Sequence, residues 1–542
     1  MIVLMGNSIF QDICIGRIAF YGRQDRVVKR YHVEDTDAEI IRFNQAKEKG
    51  IEQLKVLHEK AQRDVGEMSA AIFEIHQLIL ADEELIQMVT NTIKSQKVNA
   101  EYAVEAATDI YASRFEGMED IYMRGRAADI RDISERLLSI LSNVEEPVQV
   151  FEEPVIIVAE DLSPSETMQL DKSKVLGFIM KQGSANSHTA ILAKSMGIPA
   201  IMGVGGELNL KYDGRLCAVD GFSGMVYLDP DETTLVRMKG KKEESEKQEE
   251  LLLSLRGKEN ITLDGTHVEI SANIGTVEEL DKVSFYDGDG IGLFRSEFLY
   301  LRGISYPTEE QQFQAYKRAA VEMGGKRVII RTLDIGADKK ADYFELKPEK
   351  NPAMGFRAIR ICLTRPEIFI TQLRAIYRAS VYGQIAIMFP MIISLEEVKC
   401  IKAIVEDVKE DLKAEKILFR EDVELGIMIE TPAAALISDE LAREVDFFSV
   451  GTNDLSQYTL AIDRQNEQLN RFYNPHHKAV LRMIKLAADN IHREGKWIGI
   501  CGELGADTDL TEQFLRMGID ELSVTPSMIL EVRKKVRSID LK

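Results

Sequence analysis

Eight short apolar runs in the second half of the chain, separated by helix-compatible stretches, constrain its fold more than any other feature. They are HVEISA (267–272), GIGLFR (290–295), RVIIRT (327–332), IAIMFP (385–390), LGIMIE (425–430), FFSVGT (447–452), WIGICG (497–502) and ELSVTP (521–526). Strands alternating with helices build parallel sheets, and eight such units predict a (β/α)8 barrel. Several runs end in charged or polar residues: Arg295, Arg331, Glu430, Asn453, Asp454 and Cys501. Barrel sites form where strands end, so these are the first candidates for a site.

Upstream the texture differs. No proline precedes Pro147, and residues 34–142 read as helix. Thr36 and Glu39 form a capping-box pattern at its start. Leu54, Leu57, Ala61, Val65, Met68, Ile72, Ile75 and Ile79 then recur at helical spacing, the stripe of a helix in a bundle. VIIVAE (155–160), VLGFIM (175–180), AIMGV (200–204), LCAVDG (216–221) and MVYLDP (225–230) read as buried strands, and residues 1–20 share that texture. The expected organisation is multidomain α/β. Residues 1–23 and 146–230 form an α/β domain, 24–145 an inserted helical bundle, 231–258 a charged helical linker and 259–542 the barrel.

Composition excludes some classes. A length of 542 residues predicts several domains. A formal charge of −21 opposes nucleic-acid binding. No run of about 18 apolar residues predicts a membrane span. The first residues, MIVLMGNSIFQDICIG, lack the features of a secretory leader, and five scattered cysteines without CxxC spacing suit a reducing cytoplasm.

Residues 183–200, GSANSHTAILAKSMGIPA, follow a strand and open a helix that Asn186 or Ser187 can cap and Gly197 can stop. His188 then sits in the first turn, where free N–H groups and the helix dipole stabilise a phosphoryl group. The local pattern by itself favours a capping or packing histidine.

A family resemblance changes that balance. SHTAILAKSMGIPA resembles the phosphohistidine segment of Enzyme I of the phosphoenolpyruvate-dependent sugar phosphotransferase system. GLFRSEFLY (292–300), RTLDIGADK (331–339), NPAMGFRAIR (351–360), IMFPMI (387–392), GIMIETPAA (426–434), GTNDLSQYTLAIDR (451–464) and CGELGAD (501–507) resemble its further signatures, in the family's order. Two segments depart: Ser184-Ala185-Asn186 stands where the family usually has Gly-Arg-Thr, and Phe10–Cys14 replaces Ser-Pro-Gly-Ile-Ala.

The resemblance implies that the chain transfers the phosphoryl group of phosphoenolpyruvate to His188, releasing pyruvate, and then to a histidine of the carrier HPr. It implies that Arg295, Arg331 and Arg464 hold the substrate, a job arginine forks suit. Asn453 and Asp454 assist them, Glu430 and Asp454 bind Mg2+, and Cys501 protonates the enolate. Asn351 and Arg357 rank second, and His476 and His477 are read as structural. The bundle is the expected HPr site, through residues 67–85 and 124–133, with Leu78 and Ile79 exposed beside Glu83 and Glu84. A cytoplasmic homodimer, paired through the barrel, is expected. Two alternatives stay open: a dikinase or synthase using a nucleotide, and a non-catalytic regulatory paralogue.

Overall fold

A computed structural model describes the chain except for residues 23–27, 65–66, 118–120, 144–150, 184–187, 207, 302, 304, 337–340, 465 and 470. It divides into two compact units, Met1–Gln248 and Glu249–Lys542. The expected boundaries at 23/24 and 145/146 lie outside the described residues, as do Ser184, Ala185, Asn186 and Ser187.

The first unit is built on an eight-stranded mixed sheet. Its strands are β1 (Ile2–Met5), β2 (Asn7–Ser8), β3 (Ile13–Phe20), β4 (Val155–Ala159), β5 (Val175–Met180), β6 (Ala200–Met202), β7 (Leu216–Asp220) and β8 (Met225–Leu228), in the order β1-β8-β7-β3-β4-β5-β6-β2. Both faces of the centre are covered, which is why these strands read as continuous apolar runs. Ile156, Val158 and Ile179 enter one core with Cys14 and Val219. Ile157, Phe178 and Met180 enter another on the opposite face, as the two-residue period requires.

Between β3 and β4 the described residues form the helices α1 (Thr36–Asp64), α2 (Glu67–Leu80), α3 (Glu83–Gln96), α4 (Ala100–Glu116) and α5 (Ile121–Leu141). They enclose a core containing Leu54, Ala61, Phe73, Leu80, Val89, Ile93, Val104, Ile133 and Leu137. The predicted stripe is therefore shared by α1 and α2, with Val65 and the side chain of Met68 outside what is described. The start of α1 also differs from the reading. Asp35, not Thr36, caps it, its Oδ1 accepting from the N–H of Asp37 (3.1 Å) and Ala38 (2.9 Å). Glu39 turns instead to the N–H of Ala100 at 2.7 Å. Leu78 is 70% exposed as expected, whereas Ile79 packs against the bundle core.

Among the described residues α6 (Pro164–Gln169) and α7 (His188–Met196) also belong to this unit, and α8 (Glu232–Leu253) crosses its boundary at Gln248. A reciprocal Ser163–Glu166 box caps α6. Ala190 and Ala193 of α7 pack on the sheet, and Gly197 stops it with φ +66°, a left-handed turn that suits glycine. The predicted linker helix is α8, with 22 residues.

The second unit is the barrel. Its strands are β9 (Glu269–Ile274), β10 (Gly290–Arg295), β11 (Arg327–Arg331), β12 (Ile385–Phe389), β13 (Glu424–Ile429), β14 (Phe447–Val450), β15 (Trp497–Ile500) and β16 (Glu521–Val524). They close in chain order, every neighbouring pair parallel. Leu293, Ile329, Ala386, Met388, Met428 and Phe447 fill its interior with Cys501. Val328, Ile330, Ile387 and Ile427 face the surrounding helices. Each predicted run supplied one strand. Among the described residues no helix is long and apolar enough to cross a membrane.

Candidate active site

The C-terminal strand ends of the barrel surround a cavity of about 580 Å³. Every barrel residue singled out from the sequence as a catalytic, substrate or metal candidate lines it: Arg295, Arg331, Glu430, Asn453, Asp454, Arg464 and Cys501. Arg357 joins them; Asn351 does not, although its neighbours Pro352 and Ala353 do.

Arg295 and Arg331 are the last residues of β10 and β11. Arg295 is exposed and makes no hydrogen bond or ion pair with a described residue, so its guanidinium is available to a ligand. Arg331 is 8% exposed. Its Nη2 donates to Glu297 Oε1 at 2.7 Å and its Nη1 lies 3.2 Å from Asp334 Oδ2, while its buried Nε has no partner among the described residues. Burial works against that charge, but Glu297, Asp334 and Glu430 outweigh it and hold the pKa above the ordinary arginine value. Arg357 donates to Asp334 Oδ1 from Nη2 (2.7 Å) and Nε (3.2 Å) and stands 3.8 Å from Asp454. Asp334 thus joins two arginines. Arg464 approaches Asp454 at 3.9 Å, and its backbone N–H donates to Gln457 Oε1.

Sequence reading missed Glu297 and Asp334. Their signal was present, an acidic residue two or three positions after each strand-end arginine, in RSE and RTLD.

Glu430 follows β13 and is 1% exposed. Met391, held at φ +59°, aims its N–H at the Glu430 carboxylate from 2.6 Å. Gly451 makes the room: a Cβ there would lie 2.8 Å from Glu430 Cβ and 2.9 Å from its Oε2. Asn453 and Asp454 do not end a strand; they sit in the first turn of the helix Thr452–Leu460. Asn453 exchanges hydrogen bonds with Glu503, at 2.9 Å to the carboxylate and 3.0 Å from the backbone N–H. Burial first, then the charges of Asp454 and Asp334, push Glu430 well above the usual carboxylate range. Such a carboxylate is short of positive charge, and its oxygens with those of Asp454 fit a hard divalent cation. Among the described residues no group of three or more His, Cys, Asp or Glu is arranged to hold a metal. Two carboxylates would leave the other coordination positions to water and ligand oxygens.

Cys501 follows β15, 2% exposed, with Sγ 3.6 Å from the carbonyl of Val450. Burial pushes its thiol up to about 11, against the pull of Ser449. It lines the cavity with its thiol kept in the protonated form at neutral pH.

His188 belongs to the other unit, as the first residue of α7; its side chain lies outside the described residues. His476 pairs with Asp507 at 2.6 Å and His477 caps the helix Lys478–Arg493, structural roles as expected.

Residues 249–541 match the PEP-binding domain of PEP-utilising enzymes, residues 5–126 the N-terminal domain and residues 151–224 the mobile domain. A phosphoenolpyruvate-protein phosphotransferase of Staphylococcus carnosus is 44% identical over 538 residues, 99% of this chain and 94% of that protein. The Listeria monocytogenes protein of the same name is 42% identical with the same coverage. One from Staphylococcus aureus is 44% identical over 512 residues, 94% of this chain and 90% of its own.

Proposed function

The chain belongs to the PEP-utilising enzymes, as a phosphoenolpyruvate–protein phosphotransferase of the Enzyme I kind, and we propose that it phosphorylates His188 from phosphoenolpyruvate, releases pyruvate, and passes the phosphoryl group to a histidine of HPr. What carries the reading is the barrel mouth, where arginines, the carboxylates of Glu430 and Asp454 and the thiol of Cys501 share one cavity.

Arg295, Arg331 and Arg464, with Arg357, hold the phosphate and carboxylate of the substrate. Glu297 and Asp334 orient the two buried guanidinium groups, so little reorganisation accompanies binding. Asn453, fixed by Glu503, offers hydrogen bonds to the substrate. Glu430 and Asp454 would hold magnesium, which supplies divalent charge beside the substrate's phosphate and enolate oxygens. An imidazole nitrogen of His188 forms the P–N bond as the bond from phosphorus to the enol oxygen breaks, its electron pair leaving with the enolate. The thiol of Cys501 then protonates the methylene carbon, giving pyruvate, and the thiolate regains its proton from solvent.

Residues 24–145 seat HPr, 259–542 bind substrate and pair two copies, and 1–23 with 146–230 carry the phosphohistidine. His188 and the cavity belong to different units, so the histidine visits substrate and carrier in turn, by movement about the linker. The reducing cytoplasm suits five unpaired cysteines.

Incubation with labelled phosphoenolpyruvate and magnesium, with and without HPr, tests the scheme. Acid-labile label on His188, stoichiometric pyruvate, and loss of label to added HPr are expected. Pyruvate released with no label on the protein would overturn it.

A further inference from the structure

The helical bundle contains a buried titratable side chain that the chemistry above does not use. His76 of α2 has no exposed surface. Its Nε2 stands 3.4 Å from Asp129 Oδ1 and its Nδ1 3.6 Å from Asp132 Oδ2, both on α5. Those aspartates are themselves 2% and 6% exposed. Neither ring nitrogen has a hydrogen-bond partner among the described residues.

The contacts continue out of the bundle. Arg126 holds Asp129 at 3.0 Å. Ser165 of α6 donates to Asp132 at 2.8 Å and accepts from Arg136 of α5 at 2.7 Å, and Arg136 also donates to Gln53 of α1 at 3.0 Å. Helix α6 packs against α7, and Thr189 donates to the carbonyl of Leu162 at 3.5 Å. A polar network therefore runs from the centre of the bundle to α6, which in turn packs on the helix that begins with His188.

The ring stands between two buried carboxylates, one also held by Arg126 and the other by Ser165. A buried network of this kind favours one packing arrangement over others, because every alternative strands a charge in the interior. We infer that His76 is a positioning residue: it ties α2 to α5 and, through Asp132 and Ser165, sets the bundle against α6, the helix that packs on the one beginning with His188, so that an acceptor seated on the bundle meets His188. The inference rests on the reading that the bundle seats HPr.

The test uses the full chain in three variants, His76→Gln, Ser165→Ala and Leu78→Asp, with HPr as acceptor. In His76→Gln and Ser165→Ala, labelling of His188 from phosphoenolpyruvate should stay within about twofold of wild type. The maximal rate of transfer to HPr should fall about tenfold to a hundredfold, and in Ser165→Ala, which lies outside the docking segments, affinity for HPr should be unchanged, the signature of a misaligned acceptor. If the glutamine variant fails to fold, Ser165→Ala, which removes one hydroxyl, decides alone. Transfer lost in Leu78→Asp but intact in the other two rejects the positioning role while keeping the docking surface. Transfer intact in Leu78→Asp rejects the docking surface, and the inference with it.

Discussion

Strand β11 is five residues long and carries an arginine at each end, yet the two have different surroundings. Arg327 belongs to the barrel floor. It lies 4.2 Å over the ring of Trp497, which stacks on Phe447 at 4.5 Å, and it pairs with Glu269 at 3.0 Å. Gly426 makes room for the Phe447 ring, and Gly292 for Glu521, whose Oε1 would be 2.1 Å from a Cβ there. Side chains plug that end. Arg331, at the mouth, borders the cavity of about 580 Å³ with its carboxylate partners set to its sides. A charged residue in a barrel becomes a binding group or a structural one according to whether its neighbours leave space for a ligand, and residue type does not decide which.

The largest separation of the two ends should come from matched substitutions. Arg331→Lys keeps a charge but loses the planar fork, and pyruvate formation should fall on the order of a thousandfold. Arg327→Lys should leave turnover per folded molecule unchanged and lower only the melting temperature. Equal turnover losses would erase the distinction. Next, Cys501→Ala should slow pyruvate release by about a hundredfold through loss of a general acid. Melting and turnover measured on one sample separate this from a packing defect, which would lower stability and spare turnover.

The floor should respond to pH where the mouth responds to substitution. Burial, then the charge of Glu269, pushes Glu521 up to about 7. A carboxyl whose folded pKa is raised binds protons more tightly folded than unfolded. Its stabilisation is complete below the unfolded value, near 4.5, and is lost as pH rises through about 7. Glu521→Gln should therefore flatten the decline of barrel stability over that window, by on the order of 3 kcal/mol at its alkaline end. Denaturant titrations of both proteins at the two ends of the window check this; parallel curves would contradict it. The smallest effect belongs to Trp497→Phe, which removes a buried N–H that lacks a partner among the described residues. Ring stacking on Phe447 can survive, and the cost should stay within about 1 kcal/mol, with phosphoryl transfer unaffected. A larger loss would mean that the Arg327 contact needs the indole.

Much of this was legible in the chain itself. Strand positions followed from apolar runs, since strands covered on both faces are continuous in hydrophobicity. Arg295, Arg331, Glu430 and Cys501 followed from polar residues at the ends of those runs, whereas Arg464 came from the family resemblance and Asn453 and Asp454 proved to open a helix. Local competition was harder to read. Asp35 displaced Thr36 as the cap because its carboxylate reaches the N–H groups two and three residues on. Ile79 was read as exposed, but helix rotation turned it onto the core while Leu78 faced water.

Sequence alone determined the elements, because period, caps and breakers act over a few residues. It also determined which chemical groups stand at the strand ends. Tertiary structure alone decided how those groups divide the work. Asp334 bridges Arg331 and Arg357 because β11 and the segment after it converge across 23 residues of chain. His76 meets Asp129 and Asp132 because α2 and α5 close one core. Coulomb and hydrogen-bond energies depend on distance and burial, and only the folded chain sets either.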